Sequence, residues 1–151
     1  MVVSPDERLV VFGSQESGRL EALDIVMGSS TVHRVEKLTS FLSLAVLPGN
    51  RFAMAGGQPG ILCKVDLITG VVTDWVPASL LGIHAMTLSP GATRLATGDA
   101  QGRVKLWDVE TLREVAVLGT HPGIVTGLQF QPDGRTLLSV DNSELRIWQM
   151  Q

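Results

Sequence analysis

The residues able to do chemistry are few and far apart. His33, His84 and His121 stand 51 and 37 residues from one another, and Cys63 is the only cysteine. Neither spacing gives the close ligand pairs from which zinc sites are assembled, so no metal site is expected. A serine nucleophile needs a base and an orienting group beside it, and the chain has no Gly-x-Ser-x-Gly elbow. Gly56, Gly57, Pro59 and Gly60 crowd one turn, but without the Gly-x-Gly-x-x-Gly spacing and following helix that cradle a phosphate. No cofactor and no catalytic residue is therefore expected. What does recur is charge: Asp24, Asp66 and Asp108 lie 42 residues apart, and Arg8, Arg51, Arg94 and Arg135 recur at a similar stride. The arginines would fit a basic arc for phosphate or an acidic peptide. They fit better a set of solvated surface charges, diluted by Asp6, Glu7 and Asp133.

The elements that carry these residues are short strands. From Leu88 to Val109 a turn at Ser89, Pro90 and Gly91 leads into Arg94 to Thr97, and a second turn at Gly98 to Gly102 leads into Arg103 to Val109. Proline presets φ and glycine accepts φ > 0, so both mark reversals. In the last run, apolar and polar residues alternate with period two, the spacing of a strand. The pattern occurs four times: Pro5, Pro48, Pro90 and Pro132 are separated by 43, 42 and 42 residues, and Gly18, Gly60 and Gly102 by 42. The residue before each aspartate runs Leu23, Val65, Trp107, and in the fourth copy Trp148 is followed by Gln149.

A repeat of about 40 to 45 residues ending in Trp-Asp is the mark of a propeller blade. Leu106-Trp107-Asp108-Val109 and Gln131-Pro132-Asp133-Gly134, with His121 eleven residues before Pro132, resemble the WD-repeat family. The resemblance implies an all-β fold, a WD-repeat β-propeller segment of about four blades of antiparallel sheet. Blade one would span 1–38, blade two 39–77, blade three 78–118 and blade four 119–151. Blade one would begin with the tail of its inner strand at Val2 and Val3, and blade four would lack its outer strand, giving about 14 strands. The ring would then not close within these residues. The only helical candidate is Thr111 to Ala116.

By the same resemblance, Asp24, Asp66, Trp107, Asp108, His121 and Trp148 are structural positions. In blade four His121, Ser139, Asp141 and Trp148 would form a buried hydrogen-bond chain. In blade three, where Ser79 takes the histidine position beside Thr97, Asp99 and Trp107, the chain should be broken. One face would gather the turns between second and third strands and the links between blades. It would display Gln15, Gln58, Leu80, Leu81, Asp99, Gln101, Asp141 and Asn142 as candidate partner contacts, a polar rim around an apolar anchor. Leu80 and Leu81 could instead pack between blades, and Trp75 is a second possible anchor.

A net charge of −3 gives no pull toward nucleic acid or an anionic membrane, so neither is an expected partner. The N-terminus lacks the pattern of a secretory signal, and the longest apolar stretch, Phe41 to Leu47, is too short to span a bilayer. An intracellular, cytoplasmic protein is expected, with cytoskeletal or ciliary association as a variant. The expected role is a non-catalytic scaffold that binds other proteins, as part or a shortened form of a longer WD-repeat protein. The alternatives are a structural cytoskeletal or ciliary component and a propeller enzyme with a cross-blade site. Uncovered blade edges should favour self-association. Two copies forming an eight-bladed ring, and an open arc stable alone, are the other outcomes of incomplete closure.

Overall fold

In the computed structural model, residues 1–150 are described. Sheet one comprises β1 (Val2–Val3), β2 (Leu9–Gly13), β3 (Arg19–Asp24) and β4 (Ser29–Arg34). Sheet two comprises β5 (Ser40–Val46), β6 (Phe52–Gln58), β7 (Ile61–Asp66) and β8 (Val72–Pro77). Sheet three comprises β9 (Ile83–Leu88), β10 (Arg94–Asp99), β11 (Arg103–Asp108) and β12 (Glu114–Thr120). Sheet four has only β13 (Gly127–Phe130), β14 (Thr136–Val140) and β15 (Leu145–Gln149). Within each sheet, consecutive strands pair antiparallel in chain order, as short reversing connections dictate.

The four sheets stack in succession, β2 against β5, β5 against β9 and β9 against β13, and the ring is not closed among the described residues. Each junction has its own core. Val11, Leu20 and Ala22 of sheet one meet Val46, Ala53, Ala55, Cys63 and Val65 of sheet two. Ala45, Met54 and Leu62 meet Ile83, Leu95 and Trp107. Ala96, Val104 and Leu106 meet Phe130, Leu137 and the partly buried Trp148. Sheets two and three are covered on both sides, so Ala53 to Gly57 and Leu95 to Asp99 are buried without alternation. β15, with one face uncovered, alternates exposed and half-buried residues. Glycine sets the closeness of these junctions. A Cβ on Gly13 or Gly56 would lie 2.3 or 2.9 Å from Phe41 or Ile83 of the next sheet, and one on Gly98 2.3 Å from Val125 in the connector leading to sheet four.

Two details differ from the sequence reading. Val2 and Val3 pair with Val11 and Val10, so sheet one has all four strands and the described residues form fifteen. Thr111 to Ala116 is not helical. Leu112 takes φ +51° in the turn between β11 and β12 and buries its side chain in the core between sheets two and three, and Glu114 already begins β12. The apolar residue that suggested a helix is a plug in a turn.

Candidate functional site

The recurring arginines and aspartates are one device. Arg8 Nε bonds Asp24 Oδ2 at 3.0 Å, Arg51 Nε bonds Asp66 Oδ2 at 3.1 Å and Arg94 Nη1 bonds Asp108 Oδ2 at 2.7 Å. The register explains the pairing, because Asp24, Asp66 and Asp108 lie opposite Leu9, Phe52 and Arg94, at or next to the arginine. The other carboxylate oxygen caps the turn after the strand. Asp24 Oδ1 accepts from the amides of Val26 and Met27, Asp66 Oδ1 from Ile68 and Thr69, and Asp108 Oδ1 from the amide and hydroxyl of Thr111. All three carboxyls are held below the usual range. The Met27 amide dominates for Asp24, and the Thr111 amide and hydroxyl for Asp108. For Asp66 burial works the other way, but the Ile68 and Thr69 amides and Arg51 outweigh it. A basic arc is therefore ruled out at Arg8, Arg51 and Arg94, whose charge is matched within the chain. In sheet four Gln149 replaces the aspartate, and Arg135 forms no ion pair among the described residues.

The opposite face begins at Gly18, Gly60 and Gly102, in the turns joining β2–β3, β6–β7 and β10–β11. Their carbonyls accept the amides of Val35, Ser79 and His121, which start the connectors to the next sheets. The Gly60 carbonyl accepts Ala78 as well as Ser79, so Val35, Ser79 and His121 share this anchoring, and a polar network exists where the side chain is polar. In sheet four Trp148 Nε1 donates to Ser139 Oγ at 2.7 Å, and Ser139 Oγ lies 2.6 Å from His121 Nε2. His121 Nδ1 faces Asp141 at 3.9 Å and Glu144 at 3.6 Å, too long for hydrogen bonds. Two carboxylates on that side favour the Nδ1–H tautomer, with the Ser139 hydroxyl donating to Nε2. In sheet three the chain divides into Trp107 Nε1 to Thr97 Oγ1 at 2.8 Å and Ser79 Oγ to Asp99 Oδ2 at 3.0 Å. Sheet two carries Val65 and Ala55 at the corresponding positions, and sheet one Leu23 and Phe12.

Ser139, His121 and Asp141 have the residue types of a nucleophile, base and orienter. All three are buried, and Trp148 already donates to the serine oxygen, so the hydroxyl is closed to a substrate. Among the described residues, no three histidine, cysteine, aspartate or glutamate side chains lie close enough to hold a metal ion. No helix of the described residues is long and apolar enough to cross a membrane.

The candidate partner contacts divide into two groups. Asp99 and Asp141 are buried and turned inward, a correction to their expected display on the surface. Asp99 accepts from the amides of Gln101 and Arg103, the hydroxyl of Ser79 and the guanidinium of Arg103. Asp141 is held well below the usual carboxylate range, first by the Ser143 amide and then by the amides of Glu144 and Gly123. Gln15, Gln58, Gln101 and Asn142 are exposed. Leu80 and Leu81 are 76% and 56% exposed, so they do not pack between sheets. Their connector is nevertheless fixed at its start. The amide of Ser79 bonds the Gly60 carbonyl, and the amide of Leu81 bonds Ser79 Oγ. Trp75 on β8 is 45% exposed, with Lys37 Nζ 4.3 Å above its ring. What sequence reasoning missed is the arginine–aspartate brace, although both members already lay on the repeat stride.

Known proteins share this pattern. The model of the WD domain, G-beta repeat, matches residues 77–108 and 112–149. Transducin beta-like protein 3 of Bos taurus is 29% identical over 146 residues, 88% of this chain and 17% of its own. Pre-mRNA-processing factor 19 homolog 2 of Arabidopsis thaliana is 28% identical over 110 residues, 72% of this chain and 21% of its own. DDB1- and CUL4-associated factor 13 of Dictyostelium discoideum is 34% identical over 71 residues, 46% of this chain and 16% of its own. The chain thus spans about a fifth or less of the length of these curated relatives. The crystal structure of the computationally designed Ika4 protein superposes with a TM-score of 0.78 at 21% identity, covering 95% of this chain and 86% of that one. Four sheets at a constant stride make the fold a β-propeller segment, and the tryptophan–serine–histidine chain and the repeat model, which matches residues 77–108 and 112–149, make the second half of the chain similar to the WD-repeat family.

Proposed function

We propose that this chain is a non-catalytic platform that binds other proteins through the face bearing the connectors between sheets. The observation that carries the reading is the adjacent pair Leu80 and Leu81, exposed on a connector held by hydrogen bonds to both neighbouring sheets. Two exposed leucines cost solvation free energy in the free protein, and burial against a partner recovers it at about 25 cal/mol per Å² of apolar surface. Holding the connector in place limits the entropy lost on binding. Gln58 and Gln101, with Gln15 and Asn142 further along the face, supply the polar rim. A relative whose name records association with DDB1 and CUL4 supports a binding role without naming this chain's partner.

The test is affinity capture with the wild-type chain and with the double variant Leu80→Ala/Leu81→Ala, quantified by mass spectrometry. Captured proteins should fall by about tenfold or more, corresponding to about 1.4 kcal/mol, while the thermal midpoint stays unchanged. Equal recovery by both chains would overturn the assignment of this face.

A further inference from the structure

We propose that the groove between sheets one and two, on the face opposite the connectors, is a second docking site that takes a lysine side chain from a basic segment of a partner protein. The groove encloses about 430 Å³ between two sheets that are both in place. It exists because two positions of the repeat carry smaller side chains in sheet one. Ala22 stands where sheet two has Lys64 and sheet three has Leu106. Leu9 stands where they have Phe52 and Arg94, each opposite its brace aspartate. At the next junction the larger pair occupies the corresponding place, with Lys64 Nζ 5.1 Å from the centre of the Phe52 ring. Between sheets one and two, Leu9, Ala22 and Leu67 line an open groove instead. A lysine arriving from outside would lay its methylene stem on this apolar floor and keep its ammonium at the rim, as Lys64 lies over Phe52 one junction further on.

The rim carries the complementary charge. Asp6 Oδ1 accepts from the Ser4 hydroxyl at 2.6 Å, the Arg8 backbone amide at 3.1 Å and Asn50 Nδ2 at 2.8 Å, and Oδ2 accepts from Asn50 Nδ2 at 2.7 Å. These donors fix the carboxylate but do not neutralise it. Among the described residues neither Asp6 nor Glu7, in the same turn, forms an ion pair. Asp6, Glu7 and Asp24 therefore stand against the single guanidinium of Arg8, while Arg51 and Asp66 on sheet two cancel each other. Such a rim repels an anion and attracts an ammonium. The walls are pinned at two places, Asn50 to Asp6 at the turns and Thr31 Oγ to the Leu67 carbonyl at 3.2 Å on the outer strand. The groove is thus formed in advance, and docking orders little of this chain. Ile68, 65% exposed where it lines the groove, offers apolar surface to a residue beside the incoming lysine, which favours a protein segment over a free amine.

The test is titration of the isotope-labelled full chain with the end-blocked peptide Gly-Leu-Lys-Leu-Gly, read by nuclear magnetic resonance at the Ala22 and Ile68 methyls and the Asn50 side-chain amide. Saturable shifts at all three are expected, with a Kd of about 1 mM or tighter. Peptides with norleucine or glutamate in place of the lysine should give none. Asp6→Asn should weaken binding about fivefold, the upper range for an exposed ion pair. Ala22→Lys, which gives sheet one the side chain that sheet two has there, should abolish binding. If that variant fails to fold, Asp6→Lys, at an exposed position, replaces it with the same expected loss. Leu80→Ala/Leu81→Ala should bind the peptide as wild type does, so this result stands apart from that of the connector face. Absence of shifts, equal binding of the norleucine peptide or of butylamine, shifts confined to the connector face, or full affinity in Asp6→Asn would overturn the proposal.

Discussion

Replacing Gly102 with alanine separates two costs that the repeat imposes on one residue. Gly102 has φ +82°, a left-handed conformation that costs an L-residue about 1–2 kcal/mol. Its added Cβ would also lie 2.1 Å from the His121 carbonyl oxygen and 2.8 Å from that of Gly123, both backbone atoms of the connector it holds. Forcing them apart adds about 1–3 kcal/mol of overpacking strain. Gly28 is the control. Its φ is +66°, but nothing lies within 4 Å of its would-be Cβ, so only the conformational cost applies. Urea unfolding, followed by fluorescence of the three tryptophans, should place Gly28→Ala about 1–2 kcal/mol below wild type and Gly102→Ala about 2–5 kcal/mol below. Equal losses at the two positions would refute the claim that close docking of turn on connector, rather than backbone conformation, fixes glycine at the repeat position.

Two further outcomes follow from the polar groups. Ser139→Ala leaves Trp148 Nε1 and His121 Nε2 without their partner and should cost about 1–3 kcal/mol, more than Thr97→Ala, which orphans only Trp107 Nε1; the reverse order in urea unfolding would contradict the network. Acid should destabilise the fold, because Asp6, Asp24, Asp66, Asp108, Asp133 and Asp141 all have lowered native pKa values, Asp6 reaching about 2 through the Ser4 hydroxyl and Asn50 amide. Between those values and the unfolded value of about 3.9, the unfolded chain binds more protons, so stability rises with pH there. The thermal midpoint should hold from neutral pH down to about 5 and fall below about 4; equal midpoints at about pH 3 and pH 7 would show that these carboxylates do not act as turn caps.

The stride of Pro48, Pro90 and Pro132 made the sheet count and strand order legible, because each turn needs its own proline or glycine and those residues mark themselves. The tryptophan–serine–histidine chain was legible for the same reason, since only one side chain of each kind sits at the right place in sheet four. The arginine–aspartate braces were hidden by a drifting separation: Arg8 to Asp24 spans 16 residues, Arg51 to Asp66 15 and Arg94 to Asp108 14. A pairing across strands shows as a register, not as a fixed sequence interval. The sequence pattern misplaces Leu112 and leaves Leu80 and Leu81 open between a surface contact and a place between blades, because a leucine in a connector or turn belongs to no periodic face. Whether such a residue plugs a core, as Leu112 does, or projects, as Leu80 does, depends on where the backbone points it.

The central claim is that one inter-sheet junction is built three times at the repeat stride. Nuclear Overhauser contacts between the Gly13, Gly56 and Gly98 α-protons and the side chains of Phe41, Ile83 and Val125 test it most directly. All three should be present with similar intensity; absence of any one would contradict the stacked-sheet account.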